Sequence, residues 1–188
     1  MPPFRIPVPR RRCGGYTLLE LVVVVSIVAV LAVVALPGTR PSSNEKLELA
    51  ASRVAEAIRF ARTEAIRTGN PVYVEINRNT DRLLVAQANL SGATVAAGAT
   101  LRDPVDKKPL DIIFRTAAVT AGVDFTNDPF DYAVGGRQPS VVFDARGLPF
   151  RKAGGNYQMM MAGDVVLTSA GRQRTVHVDR TTGRVTIQ

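Results

Sequence analysis

The run from Leu21 to Leu36 contains no charged side chain, and the residue immediately before it is Glu20. A segment apolar all round must be buried, either in a protein interior or in lipid. Counted from Tyr16 to Leu36, Glu20 included, the segment has 21 residues, a helical rise of about 31 Å, enough to cross a hydrocarbon core of about 30 Å. An acid one turn inside such a helix costs about 2.5 to 3.5 kcal/mol to insert. Glu20 therefore needs a compensating partner, and assembly with a second chain would supply one.

Charge sets the direction of that segment. Arg5, Arg10, Arg11 and Arg12 precede Tyr16 with no acid among them, and only Arg40 follows soon after the apolar run. The positive-inside bias then keeps the N-terminus cytoplasmic and exports the remainder. Residues 1–15 have no apolar core of their own, so they do not form a secretory signal, whose apolar region would precede the cleavage point. Cys13 is the only cysteine and cannot form an internal disulfide. It follows three arginines rather than an apolar leader, which is not the setting of a lipid anchor.

Gly15, an aromatic Tyr16, Thr17-Leu18-Leu19-Glu20 and the apolar helix together resemble the leader of type IV pilins and type II secretion pseudopilins. The resemblance implies cleavage by a membrane prepilin peptidase after Gly15 and N-methylation of Tyr16, where phenylalanine is the commoner residue. It places Glu20 fifth in the mature chain and Pro37 at a helix kink. In a filament core the Glu20 carboxylate would meet the terminal ammonium of a neighbouring subunit, two charges that compensate each other in low dielectric. The other reading of Glu20 is an ordinary signal-anchor whose acid snorkels to the interface.

Beyond the apolar run, Pro37-Gly38 and Pro41 break the helix, because proline lacks the amide donor and turns the preceding residue away from helix. Ser42 and Glu45 have capping-box spacing. Leu47, Ala51, Val54, Ile58, Ala61 and Ala65 then draw one apolar stripe, ended by Gly69. Glu48, Arg53, Glu56, Arg59, Arg62 and Arg67 lie off that stripe and read as a solvated face. The expected organisation is a leader at 1–15, a membrane and filament-core segment at 16–37, a link at 38–44 and a globular domain at 45–188.

The domain continues in strands. Val72 to Ile76 and Leu83 to Gln87 read as a hairpin around Asn77–Asp81. Between Asn89 and Gln138 only short candidates stand out, near Ile112–Arg115 and Val123–Phe125. A meander follows, with strands at Ser140–Asp144, Tyr157–Met161, Val165–Ser169, Arg174–Asp179 and Arg184–Gln188. Its turns fall at Ala145-Arg146-Gly147, Ala170-Gly171-Arg172 and Arg180-Thr181-Thr182-Gly183.

Helix text Ala61-Arg62-Thr63-Glu64-Ala65-Ile66-Arg67 entering Pro71-Val72, then Val142-Phe143-Asp144 before Gly147, and the closing Thr182-Gly183-Arg184-Val185-Thr186-Ile187 are similar to the GspH/FimT group of minor pseudopilins and minor pilins. The resemblance implies an α+β, type IV pilin-like fold, a long N-terminal helix packed on antiparallel sheets. It also implies an inner-membrane protein with a periplasmic domain, whose partners are other pseudopilins or pilins, the prepilin peptidase and an inner-membrane assembly platform. Two roles stay open: a type II secretion pseudopilus subunit, or a minor pilin that binds DNA through a basic C-terminal region. Eight basic residues against three acidic ones lie from Arg137 to the end, and Arg172, Arg174, Arg180 and Arg184 fall within 13 residues of one another. On one edge they would contact phosphates in a salt-dependent manner. The alternative is that they are solvated turn residues, and no aromatic side chain for base stacking accompanies them.

Catalysis has little support. His177 is the only histidine, set in a strand pattern with no nucleophile that spacing requires beside it, Ser169 included. Asn127, Asp128 and Asp131 lack the dense oxygen pattern of a calcium loop, so no metal or other cofactor is expected. Met159-Met160-Met161 alternates strand faces and reads as core and edge filling.

Overall fold

The computed structural model describes residues 17–35 and 42–188. The chain divides into two compact units with the boundary at Arg40 and Pro41. Gly15, Tyr16 and Pro37, the leader 1–15 and most of the link expected at 38–44 lie outside the described residues.

In the first unit, helix α1 spans Leu18–Ala35. Every large apolar residue from Leu18 to Leu31 is 48% to 82% exposed, so the apolar surface runs round the whole circumference. Among the described residues no helix is long and apolar enough to cross a membrane. The 18 residues of α1 rise about 27 Å, short of a core of about 30 Å, and the expected segment 16–37 extends past them at both ends.

The second unit opens on helix α2, Ser43–Thr68. Its start is the expected capping box: Ser42 Oγ accepts from the Glu45 N–H at 3.3 Å, and Glu45 Oε2 accepts from the Ser42 N–H at 2.7 Å. The helix thus begins two residues before the expected domain boundary at 45. Its end is Gly69, in the left-handed region at φ 71°, donating to Ala65 O at 3.0 Å. All six stripe residues are fully buried, and Ala50, Ala55 and Ala57 widen the stripe. Alanine keeps that face low, which lets the sheet approach closely.

Twelve strands follow: β1 Val72–Asn77, β2 Arg82–Asn89, β3 Ala96–Thr100, β4 Asp111–Ile113, β5 Asp124–Phe125, β6 Phe130–Tyr132, β7 Gly136–Gln138, β8 Ser140–Phe143, β9 Pro149–Ala153, β10 Asn156–Ser169, β11 Arg172–Val178 and β12 Val185–Ile187. The main path runs β12-β11-β10-β9-β8-β1-β2-β3, with β4 on β2, β5 and β6 on β10, and β7 on β6. Every pairing among the named strands is antiparallel. The expected α+β architecture, a helix packed on antiparallel sheet, is present. The expected first hairpin is present, with Ile76 opposite Leu83.

Two expectations need correction. Tyr157–Met161 and Val165–Ser169 are one strand, β10, of 14 residues. Ala162-Gly163-Asp164 reads as an interruption in the sequence, but the structure places a bulge between Met160 and Ala162. The bulge switches the inward parity, with Met160 buried before it and Val165 and Leu167 after it. β10 consequently pairs with β9 at Asn156–Met159, with β6 across the bulge at Met160–Gly163, and with β11 and β5 beyond it. The second correction is β9, absent from the expected meander. It begins at Pro149, a position that needs no ladder donor, and turns into β10 through Gly154 and Gly155, both at positive φ.

Val72, Val74 and Ile76 of β1 face the main core, which also holds Phe114, Phe130 and Phe143. Tyr73, Val142 and Phe150 form a smaller cluster of their own. Asp81, fully buried in the β1–β2 turn, organises much of the segment that the sequence left unassigned. Its carboxylate accepts from Arg115 Nε and Nη2 at 3.0 and 2.6 Å and from the Phe125 N–H at 3.0 Å, and its carbonyl accepts from the Phe114 N–H at 2.8 Å.

Several acids stabilise the domain in ionised form. The Val105 amide holds the Asp103 carboxyl below its ordinary range, the Arg82 fork does the same for Asp111, and the Thr182 hydroxyl does so for Asp179. A depressed carboxyl means that the unfolded chain takes up protons first, near pH 4, so the contribution is complete above that range and lost as pH falls through it. Thermal melts by circular dichroism should be level from about pH 7 to 5 and move to lower temperature below about pH 4. A midpoint that rises on acidification over that lower range would contradict the assignment.

Candidate functional site

The candidate residues fall in two regions, one in each unit. In the first, Thr17 Oγ1 accepts from the Glu20 N–H at 3.2 Å and Thr17 O from the Leu21 N–H at 3.2 Å. Glu20 therefore sits in the first turn of α1, where the positive end of the helix dipole favours a carboxylate. It is the only charged side chain between Leu18 and Ala35. Ser26, the other polar residue there, satisfies its hydroxyl on Val22 O at 2.7 Å.

In the second unit the structure redistributes the arginines. Arg172 is exposed at the start of β11, and Arg174, two residues on, places its Nε 2.7 Å from Glu48 Oε2 on α2. Arg180 and Arg184 lie past the other end of the strand, so β11, about 20 Å long, separates the two pairs. The four do not form one patch. Arg184 instead lies beside Arg59 and Arg62 of α2, and with Thr63, Gly183 and Val185 these line a cleft of about 410 Å³.

The helix face expected to be solvated is in part engaged with the sheet and its loops, while Glu56 and Arg67 stay exposed and pair only within α2. Arg59 Nη2 donates to Val185 O at 3.1 Å and Arg62 Nε to Thr182 O at 2.9 Å, while Arg53 pairs with Asp103 at 3.1 Å. Long arginines on the helix flanks reach carbonyls and acids at the sheet border, which an i to i+4 reading of one helix does not reveal. The signal that could have singled out Arg59 and Arg62 is their spacing of three, which stacks them on one face.

The turn opposite these arginines is held tightly. Asp179 Oδ1 accepts from the Thr181 and Thr182 N–H groups at 3.0 and 2.7 Å and from Thr182 Oγ1 at 2.8 Å. Gly183, at φ 66°, has no room for a side chain, since a Cβ there would collide with Gly147 O and press on Arg62. Gly147 in the β8–β9 turn is crowded less severely, by the side chains of Ile66 and Arg62. The two turns thus meet beneath Arg62.

The remaining candidates fall elsewhere. His177 Nδ1 lies 2.7 Å from Asp164 Oδ1 across the β10–β11 hairpin, whereas Ser169 pairs with Arg172 at its turn and donates to Gly122 O at 2.9 Å. His177 and Ser169 are thus at opposite ends of the hairpin. Asn127 clamps β10, donating to Asp164 O and accepting from the Val166 N–H, and Asp128 lies 3.7 Å from Arg78. Asp131 pairs across strands with Arg137 and Ala162. Met160 is buried, while Met159 and Met161 are 52% and 50% exposed. A second and more apolar groove of about 740 Å³ runs between α2 and residues 103–120, with Leu49, Ile113 and Val119 in its lining.

Comparison with known proteins identifies a family for the chain. The family described as type II transport protein GspH matches residues 50–182, and the prokaryotic N-terminal methylation motif matches residues 10–36. No curated protein matches the chain. Among solved structures it is similar to the minor pseudopilin EpsH from the type 2 secretion system of Vibrio cholerae, at 15% identity and a TM-score of 0.47, covering 76% of this chain and 96% of that one. It is also similar to the type IV minor pilin FimU of Pseudomonas aeruginosa PAO1, at 14% identity and a TM-score of 0.44, covering 77% and 90%. Because the first family match spans well over half of the sequence and the methylation motif precedes it, the chain belongs to the GspH family of type II transport proteins.

Proposed function

We propose that the protein is a minor pseudopilin of a type II protein secretion system. It is cleaved after Gly15 by a prepilin peptidase, N-methylated at Tyr16 and held in the inner membrane by residues 16–37. Its domain at 45–188 faces the periplasm. From the inner-membrane assembly platform it joins other pseudopilins at the tip of a periplasmic pseudopilus, with Glu20 setting axial register and Pro37 providing the kink. The observation that carries this reading is the GspH match over residues 50–182 following a methylation motif at residues 10–36.

The alternative is a FimT-type minor pilin of a type IV pilus that binds DNA through Arg172, Arg174, Arg180 and Arg184. Its support is the basic C-terminal third of the sequence. Against it, Arg174 is committed to Glu48 and the four arginines are split between the two ends of β11.

Two measurements on the native host test the proposal. N-terminal sequencing of membrane-extracted protein should return N-methyltyrosine at Tyr16, and a chain still starting at Met1 in cells with active peptidase would refute processing. Deletion of the gene should deplete folded exoproteins from the medium and leave surface pili and DNA uptake unchanged. The opposite pattern would establish the type IV pilus reading.

A further inference from the structure

The cleft walled by Arg59, Arg62 and Arg184 has donors to spare. Arg62 commits only its Nε to Thr182 O, which leaves both terminal nitrogens of its fork, and Arg59 commits one Nη2 bond to Val185 O. Among the described residues no carboxylate lies within 4.0 Å of any of the three guanidinium groups. The two carbonyl anchors fix the α2 arginines, so little side-chain entropy remains to be lost when a ligand arrives. Arg184 is exposed at the mouth and makes no side-chain hydrogen bond of its own.

We propose that this cleft is a docking site for a carboxylate side chain on an acidic segment of a partner protein. The planar fork of an arginine fits a carboxylate through two parallel bonds. The cleft lining offers no aromatic ring on which a nucleic-acid base could stack, which favours a protein carboxylate over the other polyanion a basic surface could take. The site does not depend on which of the two filaments the subunit joins.

The test uses full-length protein in neutral detergent and fluorescence anisotropy with a labelled hexaglutamate peptide. A hexaglutamine peptide and a short DNA duplex are the comparators. At about 50 mM salt the acidic peptide should bind saturably and hexaglutamine should not, with binding weakened at about 300 mM. Arg184→Gln should loosen the acidic peptide about tenfold, the loss expected for one charge-assisted pair. Arg62→Lys, which keeps the charge but removes the fork, should loosen it as well. Arg172→Gln, at the far end of β11, should leave it unchanged, and melting curves should show each variant folded. Equal binding of the two peptides would overturn the proposal, as would equal loss in the Arg172 and Arg184 variants. Tighter binding of the duplex, lost in Arg184→Gln, would overturn it in favour of a phosphate-backbone site.

Discussion

Glu20→Ala is expected to leave the subunit in the membrane and remove it from the filament. The two steps respond oppositely because the carboxylate has a different environment in each. In lipid the acid is a cost, up to about 3 kcal/mol at a helix centre and less in a first turn, so alanine makes insertion more favourable. In the proposed filament core the carboxylate compensates the terminal ammonium of a neighbouring subunit. Removing one member of such a buried pair typically costs about 3 to 5 kcal/mol, because the other charge is left unpaired. A loss at the lower end of that range corresponds to incorporation falling below about one hundredth. Membrane fractionation with quantification of sheared filaments would measure both steps in one strain. Wild-type incorporation of the Glu20→Ala subunit would sink the register role, and loss from the membrane fraction would show that the acid acts at insertion instead. Thr17 caps the first turn of α1 through its own hydroxyl, so the substitution leaves the helix start in place.

The second large effect is on stability, at the Asp81–Arg115 pair. The two partners are unequal, with the Asp81 side chain 1% exposed and that of Arg115 63% exposed. Arg115→Ala would strand a buried carboxylate, and the expected cost is about 3 to 5 kcal/mol. Asp81→Asn leaves the arginine in water, where an unpaired guanidinium costs little. It also keeps an acceptor for the Phe125 N–H and a residue that tolerates the φ of 48° at this turn. Its expected cost is about 1 to 2 kcal/mol, the loss of a charge-assisted bond. Thermal melts of the two variants should therefore differ, with Arg115→Ala lower by several degrees. Equal midpoints would mean that the carboxylate is not truly dependent on its arginine.

The same pair shows why residues 89–138 were only partly legible in the sequence, where the candidates near Ile112–Arg115 and Val123–Phe125 fall on β4 and β5. Asp81 and Arg115 are 34 residues apart, and no local pattern joins them. The short strands β4, β5 and β6 are specified by remote partners, β2 and β10, rather than by alternation of their own. By contrast α2 was legible in detail, because a capping box, a 3.6-residue stripe and a terminal glycine are all local signals. The first hairpin was legible for the same reason. β10 was misread because a bulge shifts the parity on which alternation depends.

The arginines show the same limit at the candidate site. Closeness within 13 residues of sequence meant distance in space, since an extended strand moves the chain about 3.3 Å per residue. The cleft that formed joins Arg184 to Arg59, whose Nη2 bond to Val185 O spans 126 residues of sequence.

The sequence by itself determined the processing motif, the apolar helix with its single acid, the capped second helix and the α+β class, because each is written in contiguous residues whose spacing has one physical meaning. Only the tertiary structure decided that β10 joins the two halves of the sheet, that Asp81 anchors the irregular middle and that the basic cleft is built from α2 and the β11–β12 turn. Those features arise where side chains from distant segments share one buried or crowded space, and the burial, pairing and steric terms that select them exist only once the chain has folded.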